Sequence, residues 1–96
     1  MTSYQPKPPQ ELKCWPRPFR EIVAGSKRAD FRSIEDRKFH VGAVLRLREY
    51  IPADEGASFA GRYTGRHVDV VITHIQEGGM FGIPAGYAIL SIVVVQ

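Results

Sequence analysis

The alternation of hydrophobic and polar residues predicts five short strands and one early helix. The strands are expected over residues 11–15, 28–34, 43–50, 67–76 and 87–95. Phe19, Ile22 and Val23 recur at helical spacing, so a short amphipathic helix should precede Gly25 and end at this glycine. Short strands separated by glycine-containing turns, without a second long helix, favour a mainly β (α+β) fold built as a small mixed β-barrel.

The segments between these elements predict a terminal arm, a loop and a turn. Residues 1–9 carry three of the seven prolines and no apolar periodicity, so they are interpreted as a flexible arm and residues 10–96 as the folded domain. Residues 52–61 are typical of a loop, and residues 63–66 predict a turn. The fifth strand is apolar on both faces apart from Ser91, so it should be central in the sheet or covered on both sides.

Size and composition narrow the class of protein. Ninety-six residues suffice for one hydrophobic core, and no apolar segment approaches the roughly 20 residues that a membrane-spanning helix needs. The N-terminus has no apolar signal region. Cys14 is the single cysteine and cannot form an internal disulfide; beside Trp15 in a predicted strand, it is expected to be structural. We therefore expect a cytoplasmic domain that makes no membrane contact.

The net charge of +3 is unevenly distributed along the chain. Residues 1–48 hold 11 Lys and Arg against 5 Asp and Glu, a net charge of +6. Residues 49–96 hold 2 Lys and Arg against 5 Asp and Glu, a net charge of −3. Such asymmetry suggests one face or edge that is suited to phosphate groups.

The segment directly after the helix concentrates this positive charge. In a strand, Arg28, Asp30 and Arg32 would share one face, and Phe31 would be buried on the other. Lys27 and the two arginines could then bind phosphate or a base edge, with Asp30 holding a cation in place. The same pattern is also typical of a solvated strand face with weak ion pairs. Spacing alone leaves both interpretations open.

A second basic row and an aromatic residue extend this candidate surface. Arg46, Arg48 and Tyr50 share a face of the third strand, and single-stranded nucleic acids bind to such combinations of cations and aromatic rings. The row could equally be a solvent-exposed exterior face. Trp15, followed closely by Arg17, could form a wall of the cleft or pack in the core.

Few residues suggest catalysis or metal binding. Glu77 lies where a long strand gives way to a glycine-rich loop, so it is either a candidate catalytic carboxylate or simply exposed. The spacing of the three histidines does not resemble a zinc site, and neither a metal nor a cofactor is expected. Met80 and Phe81 in the same loop are a candidate contact for a protein partner.

Several separated motifs, taken in order, resemble the DUF3850 family of ASCH domains, which belong to the PUA-like superfamily. They are Glu-Leu-Lys-Cys-Trp-Pro at 11–16, Gly-Ser-Lys at 25–27, Phe-Arg at 31–32, Phe-His-Val-Gly at 39–42, Leu-Arg-Leu-Arg-Glu at 45–49, Tyr-Thr-Gly-Arg at 63–66 and Gly-Tyr-Ala-Ile-Leu-Ser at 86–91. The similarity runs from about residue 10 to the end of the chain. It implies a small PUA-like β-barrel with the first helix packed against its side.

The resemblance also implies a function. ASCH domains are expected to bind RNA or modified nucleotides in a cleft lined by a Gly-x-Lys-x-x-[Thr/Glu]-x-Arg segment, which falls here on Gly25, Lys27, Asp30 and Arg32. Some relatives remove the acetyl group of acetylated cytidine with a lysine, a threonine and a later glutamate. Here Lys27 matches the lysine and Glu77 could match the glutamate, but Asp30 replaces the threonine and cannot supply its hydroxyl.

Three hypotheses follow from the residues and the resemblance together. The first is a domain that binds RNA or a nucleotide in a basic cleft around residues 25–32. The second is an amidohydrolase of an acetylated nucleoside, with Lys27 and either Asp30 or Glu77 as its acid and base. The third is a protein-interaction module. The first two require their charged residues to meet in one concave pocket.

Overall fold

The computed structural model describes residues 8–54 and 60–95. Its elements are β1 (Gln10–Cys14), α1 (Pro16–Ala24), β2 (Ala29–Ser33), β3 (Val44–Ile51), β4 (Arg62–Glu77) and β5 (Tyr87–Val94). Within this part of the chain, the prediction of five strands and one early helix is confirmed. Most of the predicted arm, residues 1–7, and part of the predicted loop, residues 55–59, lie outside the described residues.

The strands form one mixed sheet in the order β1-β3-β4-β5-β2. β1 runs parallel to β3, and the other neighbouring strands are antiparallel. The sheet curls into a half-barrel, so its edge strands β1 and β2 approach each other across a seam without pairing. The prediction of a mainly β, barrel-like fold with one short early helix is therefore confirmed.

Alternate residues of the strands fill the concave side of the half-barrel. Leu45 and Leu47, which the pattern places on one face of β3, are completely buried. Among the described residues, the core consists of Leu12, Cys14, Phe19, Ile22, Leu45, Leu47, Val70, Ile72, Ala88, Leu90 and Ile92. Helix α1 contributes two of these side chains, so it covers part of the concave side.

Helix α1 begins and ends where its sequence dictates. Pro16 is tolerated in the first turn, because the N–H that proline lacks has no partner there. Gly25 ends the helix with a φ of 85°, a left-handed conformation that glycine adopts easily. Phe19 and Ile22 are buried as expected, but Val23 is 47% exposed because only a narrow stripe of the helix meets the sheet. This helix is too short and too polar to cross a membrane.

The prediction of a turn at residues 63–66 is wrong, because β4 already begins at Arg62. The register of β3 against β4 shifts between Arg48 and Tyr50, so that one residue of β3 faces three of β4. Gly65 adopts a φ of 93° at this point. The glycine that suggested a turn therefore belongs to a β-bulge, in which a left-handed residue is also needed.

β5 is central, as predicted, because it pairs with β4 on one side and β2 on the other. Its two faces differ, however. Ala88, Leu90 and Ile92 are buried, whereas Ile89 and Val93 are 36% and 50% exposed. No element of the described chain covers the convex side of the sheet there, so the alternative of a strand covered on both faces is wrong.

Candidate functional site

Arginine side chains close the seam between the two edge strands. Arg32 on β2 donates Nη2 to the carbonyl oxygen of Lys13 on β1 at 2.9 Å, and donates Nε to Asp30 Oδ2 at 2.7 Å. Further along the seam, Arg37 donates Nη1 to the carbonyl oxygen of Glu11 at 3.3 Å. An edge strand has backbone groups without a strand partner, and these guanidinium groups satisfy two of them.

Asp30 and Arg32 share a face as predicted, and this face is the concave one. Asp30 lies opposite Leu90 and Arg32 opposite Ala88, and both partners are buried. The charged side chains are only 13% and 23% exposed. Phe31 points to the convex side and is 52% exposed, so the expectation that it is buried is wrong. Alternation determines which residues share a face, but the curl of the sheet decides which face is covered.

The thiol of Cys14, at the end of β1, is buried, and the charges of four side chains act on it. Burial raises the pKa of Cys14 to about 11, and the charge of Asp30 adds to this effect. The positive charges of Arg32 and Lys27 oppose it, and Glu49 raises it slightly. The charges of Lys27, Asp30 and Arg32 therefore all act on this thiol. A thiol with such a pKa stays protonated at neutral pH, so Cys14 is unsuited to nucleophilic catalysis.

A depression of about 190 Å³ lies beside this cluster, and we name it the Trp15 pocket. It is lined by Lys13, Cys14, Trp15, Pro18, Asp30 and Arg32. Trp15, in the cap position before α1, is 60% exposed and therefore belongs to a cleft wall and not to the core. Asp30 accepts a hydrogen bond from Arg32 at Oδ2, and Oδ1 accepts none from the described residues. The pocket can hold a planar group against an indole face and a carboxylate–guanidinium pair.

Lys27 and Arg28 border a separate depression of about 280 Å³ with an apolar floor. Arg28 donates Nε to the carbonyl oxygen of Gly25 at 3.1 Å and precedes β2, so it does not continue the row of Asp30 and Arg32. Lys27 makes no side-chain hydrogen bond or ion pair within the described residues. Its ammonium group is therefore available to an anion.

The second predicted basic row lies on the convex side of β3, away from the buried face. Arg46 donates Nε and Nη2 to the carboxylate of Asp69 at 2.9 and 3.1 Å, and these bonds lower the pKa of Asp69. Arg48 lies over the ring of Tyr63 at 3.8 Å, and Tyr50 meets the same ring edge-on at 5.1 Å. Arg46 is thus neutralised by its partner, whereas Arg48 and Tyr50 belong to a cluster of a cation and two aromatic rings.

Two other predicted site residues lie apart from the Trp15 pocket. The side chain of Arg17 is 84% exposed, and its Nε lies 3.9 Å from Glu21 on the same helix. Glu77 is exposed at the end of β4 and lines a different depression with Phe39 and His40. The structure therefore groups Asp30 with Arg32, places Lys27 at a separate depression and leaves Glu77 at a third one. Across residues 8–54 and 60–95, no three His, Cys, Asp or Glu residues are arranged to hold a metal.

Met80 and Phe81 protrude from the turn between β4 and β5, where they are 53% and 84% exposed. Phe81 has a φ of 53°, a left-handed conformation that is uncommon for residues other than glycine. A large apolar side chain is thus presented to solvent from a strained backbone position. This geometry is compatible with the predicted protein contact.

Sequence reasoning missed Glu49, a charged residue that is only 6% exposed. Its Oε1 accepts a hydrogen bond from Thr64 Oγ1 at 2.8 Å and lies 4.0 Å from Arg66 Nη1, so the β4 bulge holds it in place. The alternation of Leu45 and Leu47 continues to Glu49 on the buried face of β3. A carboxylate at the end of a buried row was the signal that could have revealed it.

The fold and the site define a small, mainly β half-barrel with a pocket at the seam between its edge strands. A match to a family model identifies the class of protein more closely. Residues 10–92 match the model described as "Domain of unknown function (DUF3850)", so the chain belongs to the DUF3850 family, as the motifs suggested. A search of the curated proteins finds no match.

Proposed function

We propose that this protein is an ASCH-type domain of the PUA-like superfamily and that it binds RNA or a nucleotide in the Trp15 pocket. The segment that resembles the ASCH cleft motif contributes Asp30 and Arg32 to the pocket wall. The lysine of the same segment, Lys27, lies outside the pocket lining, but its positive charge acts on Cys14, which lines the pocket. The resemblance and the geometry thus support the same group of residues.

One observation carries the proposal: Trp15 exposes 60% of its surface directly beside a partly buried carboxylate–guanidinium pair. A base that stacks on an exposed indole removes an apolar face from water on both partners. Asp30 Oδ1 can accept a hydrogen bond from the base edge, and Arg32 can donate one. The unpaired ammonium of Lys27 can neutralise a phosphate attached to that base.

The first test measures the binding of the nucleoside 5′-monophosphates. Trp15 is the only tryptophan, so stacking of a base should quench the intrinsic fluorescence of the protein. The binding of the Trp15→Ala variant is measured by NMR titration. It should be weaker by about tenfold or more, because a base–aromatic stack contributes roughly 1–3 kcal/mol. Phe81→Ala removes an even more exposed aromatic side chain that does not line the pocket, and it is the control. Equal affinities of the two variants would exclude the Trp15 pocket.

The second test concerns the phosphate. Lys27→Ala should weaken nucleotide binding at low salt and reduce its dependence on salt concentration by roughly one charge. Arg20→Ala removes an exposed helix cation that lines none of the depressions described above, and it should leave affinity unchanged. Binding that is indifferent to salt in the unmodified protein would contradict a role for phosphate.

A hydrolase is the second candidate, because Lys27 and Asp30 belong to one short segment and the charges of both act on the thiol of Cys14. They could serve as acid and base in the attack of water on the amide of an acetylated cytidine, which would release acetate and cytidine. The test is acetate release by the unmodified protein and its loss in Lys27→Ala and Asp30→Asn. Absence of turnover would remove this substrate from consideration, and binding without turnover would favour the first candidate.

A further inference from the structure

The seam continues beyond the Trp15 pocket into a second depression of about 360 Å³. Lys13 and Arg32 line both depressions, so the two adjoin at these residues. We name the second depression the Arg37 groove. The charged and aromatic residues that line it include Lys13, Arg32, Asp36, Arg37, Phe39 and Tyr63. A ligand seated in the Trp15 pocket can therefore extend along β1 into the Arg37 groove.

The charges of the Arg37 groove leave one cation in excess. Within the described chain, neither Lys13 nor Arg37 is paired with a carboxylate: Lys13 Nζ lies over the ring of Tyr50 at 4.5 Å, and Arg37 donates to a backbone carbonyl. Glu11 also lines the groove, but its carboxylate lies 3.3 Å from Arg48. Asp36 cancels one of the two unpaired cations. The remaining positive charge suits a single phosphate.

Aromatic side chains accompany these cations. Tyr63 is 42% exposed and Phe39 is half-buried, and both line the Arg37 groove. Nucleic-acid sites for single strands combine cations that follow the backbone with aromatic rings on which successive bases stack. The Trp15 pocket and the Arg37 groove thus each combine cations with an aromatic ring along one seam. A free mononucleotide would use this combination only once.

We infer that the ligand of this seam is a single-stranded nucleic acid and not a free nucleotide. One base occupies the Trp15 pocket, the adjoining phosphate lies at Lys13 and Arg37, and the next nucleotide stacks in the Arg37 groove on Phe39 or Tyr63. This inference rests on the proposed function and extends it from one nucleotide to at least two.

The test compares three probes at low and moderate salt: a nucleoside 5′-monophosphate, a single-stranded RNA hexamer of mixed sequence and the DNA hexamer of the same sequence. The single strands should bind at least tenfold more tightly than the monophosphate, because they engage a second base and a further phosphate. Tighter binding of RNA than of DNA would indicate a contact to the 2′-hydroxyl. Equal binding would indicate recognition of bases and phosphates alone, and both results support the inference.

The Arg37→Ala variant separates the contributions that the two depressions make to binding. It should weaken hexamer binding roughly fivefold and lower the salt dependence by about one charge, while the affinity for the monophosphate stays within about twofold. Arg37→Gln, which retains a hydrogen-bond donor for the carbonyl of Glu11, should show the same loss if folding of the alanine variant is impaired. Arg20→Ala is the control for the loss of one exposed cation.

Two outcomes would overturn the inference and leave the proposed function intact. One is a hexamer that binds no more tightly than the monophosphate, although both require Trp15. The other is an Arg37→Gln variant that binds the hexamer as well as Arg20→Ala does. Failure of the unmodified protein to bind the monophosphate or either hexamer would instead reject the proposed function itself.

Discussion

Cys14 and Trp15 are neighbours in the chain, yet one is buried and the other is exposed. Cys14 ends β1 on its buried face, and the extended backbone of Trp15, with φ of −65° and ψ of 157°, turns the indole the other way. Two proline residues then begin and rigidify the first turn of α1. The result is an aromatic wall at a fixed point above a chemically inert thiol.

The raised pKa of Cys14 predicts a loss of stability in alkali. The thiol ionises near pH 9.0 in the unfolded chain but near pH 11 in the folded one. Its contribution to stability is therefore complete below pH 9 and is lost as the pH rises through 11, a change on the order of 2 kcal/mol. Urea unfolding at pH 8 and pH 10.5 should show a larger decline for the unmodified protein than for Cys14→Ala. Parallel declines would contradict the assigned pKa.

The left-handed conformation of Phe81 predicts a stabilising substitution. Phe81→Gly should raise the free energy of unfolding by about 1 kcal/mol, because glycine adopts a φ of 53° without the clash of a Cβ atom. Thermal unfolding measures the change, and Val41→Gly, at an exposed position without a positive φ, is the control that should not be stabilised. If Phe81 contacts a partner protein, the more stable variant should also lose that partner in a pull-down.

At the scale of elements, β2 is where sequence reasoning was partly right. The pattern placed Asp30 and Arg32 on one face and Phe31 on the other, and this is confirmed. It did not reveal that β2 is an edge strand whose charged face is turned inward, because the acceptor for Arg32 belongs to β1, 19 positions earlier in the chain. Likewise the bulge of β4 looked like a turn, since glycine serves both structures.

Arg32 should therefore matter for folding as well as for binding. Arg32→Ala removes the hydrogen bonds to Asp30 and to the carbonyl of Lys13 and leaves a partly buried carboxylate unpaired, at a cost of roughly 1–3 kcal/mol. Arg32→Lys should recover only part of this, because an ammonium group cannot reproduce the guanidinium geometry. Urea unfolding of Arg32→Ala and of Arg20→Ala compares the free energies of unfolding of the two variants. Equal stability of Arg32→Ala and Arg20→Ala would show that the seam does not depend on this side chain.

At the scale of the whole molecule, the topology turns the uneven distribution of charge along the sequence into an uneven distribution of charge over the structure. The first half of the chain, with its net charge of +6, supplies both edge strands, β1 and β2, while β4 and β5 occupy the middle of the sheet. Curling brings the two edges together, so cations that are separate in sequence, such as Lys13 and Arg37, flank one seam. A field of this kind attracts anionic ligands to the place where the Trp15 pocket lies.

The predicted division into an arm and a domain can be tested by truncation. Deleting residues 1–7 should change the free energy of unfolding by less than about 0.5 kcal/mol, because the described core begins with Leu12. Extending the deletion through residue 14 removes β1 and should abolish cooperative unfolding, since Leu12 and Cys14 leave the core and β3 becomes an unprotected edge. A large loss of stability from the shorter deletion would place the domain boundary earlier.

The sequence by itself determined the number and order of the elements, the helix end at Gly25 and the family, because each depends on local periodicity, a backbone preference or motifs that are contiguous in the chain. The sequence did not determine which residues that are distant in the chain lie close together in the structure. Which charges meet, that Glu77 lies away from Lys27, and that Glu49 is held by Thr64 depend on contacts between strands distant in sequence. Only the curl of the sheet decided these, because it fixes which face is concave and which two edges share the seam.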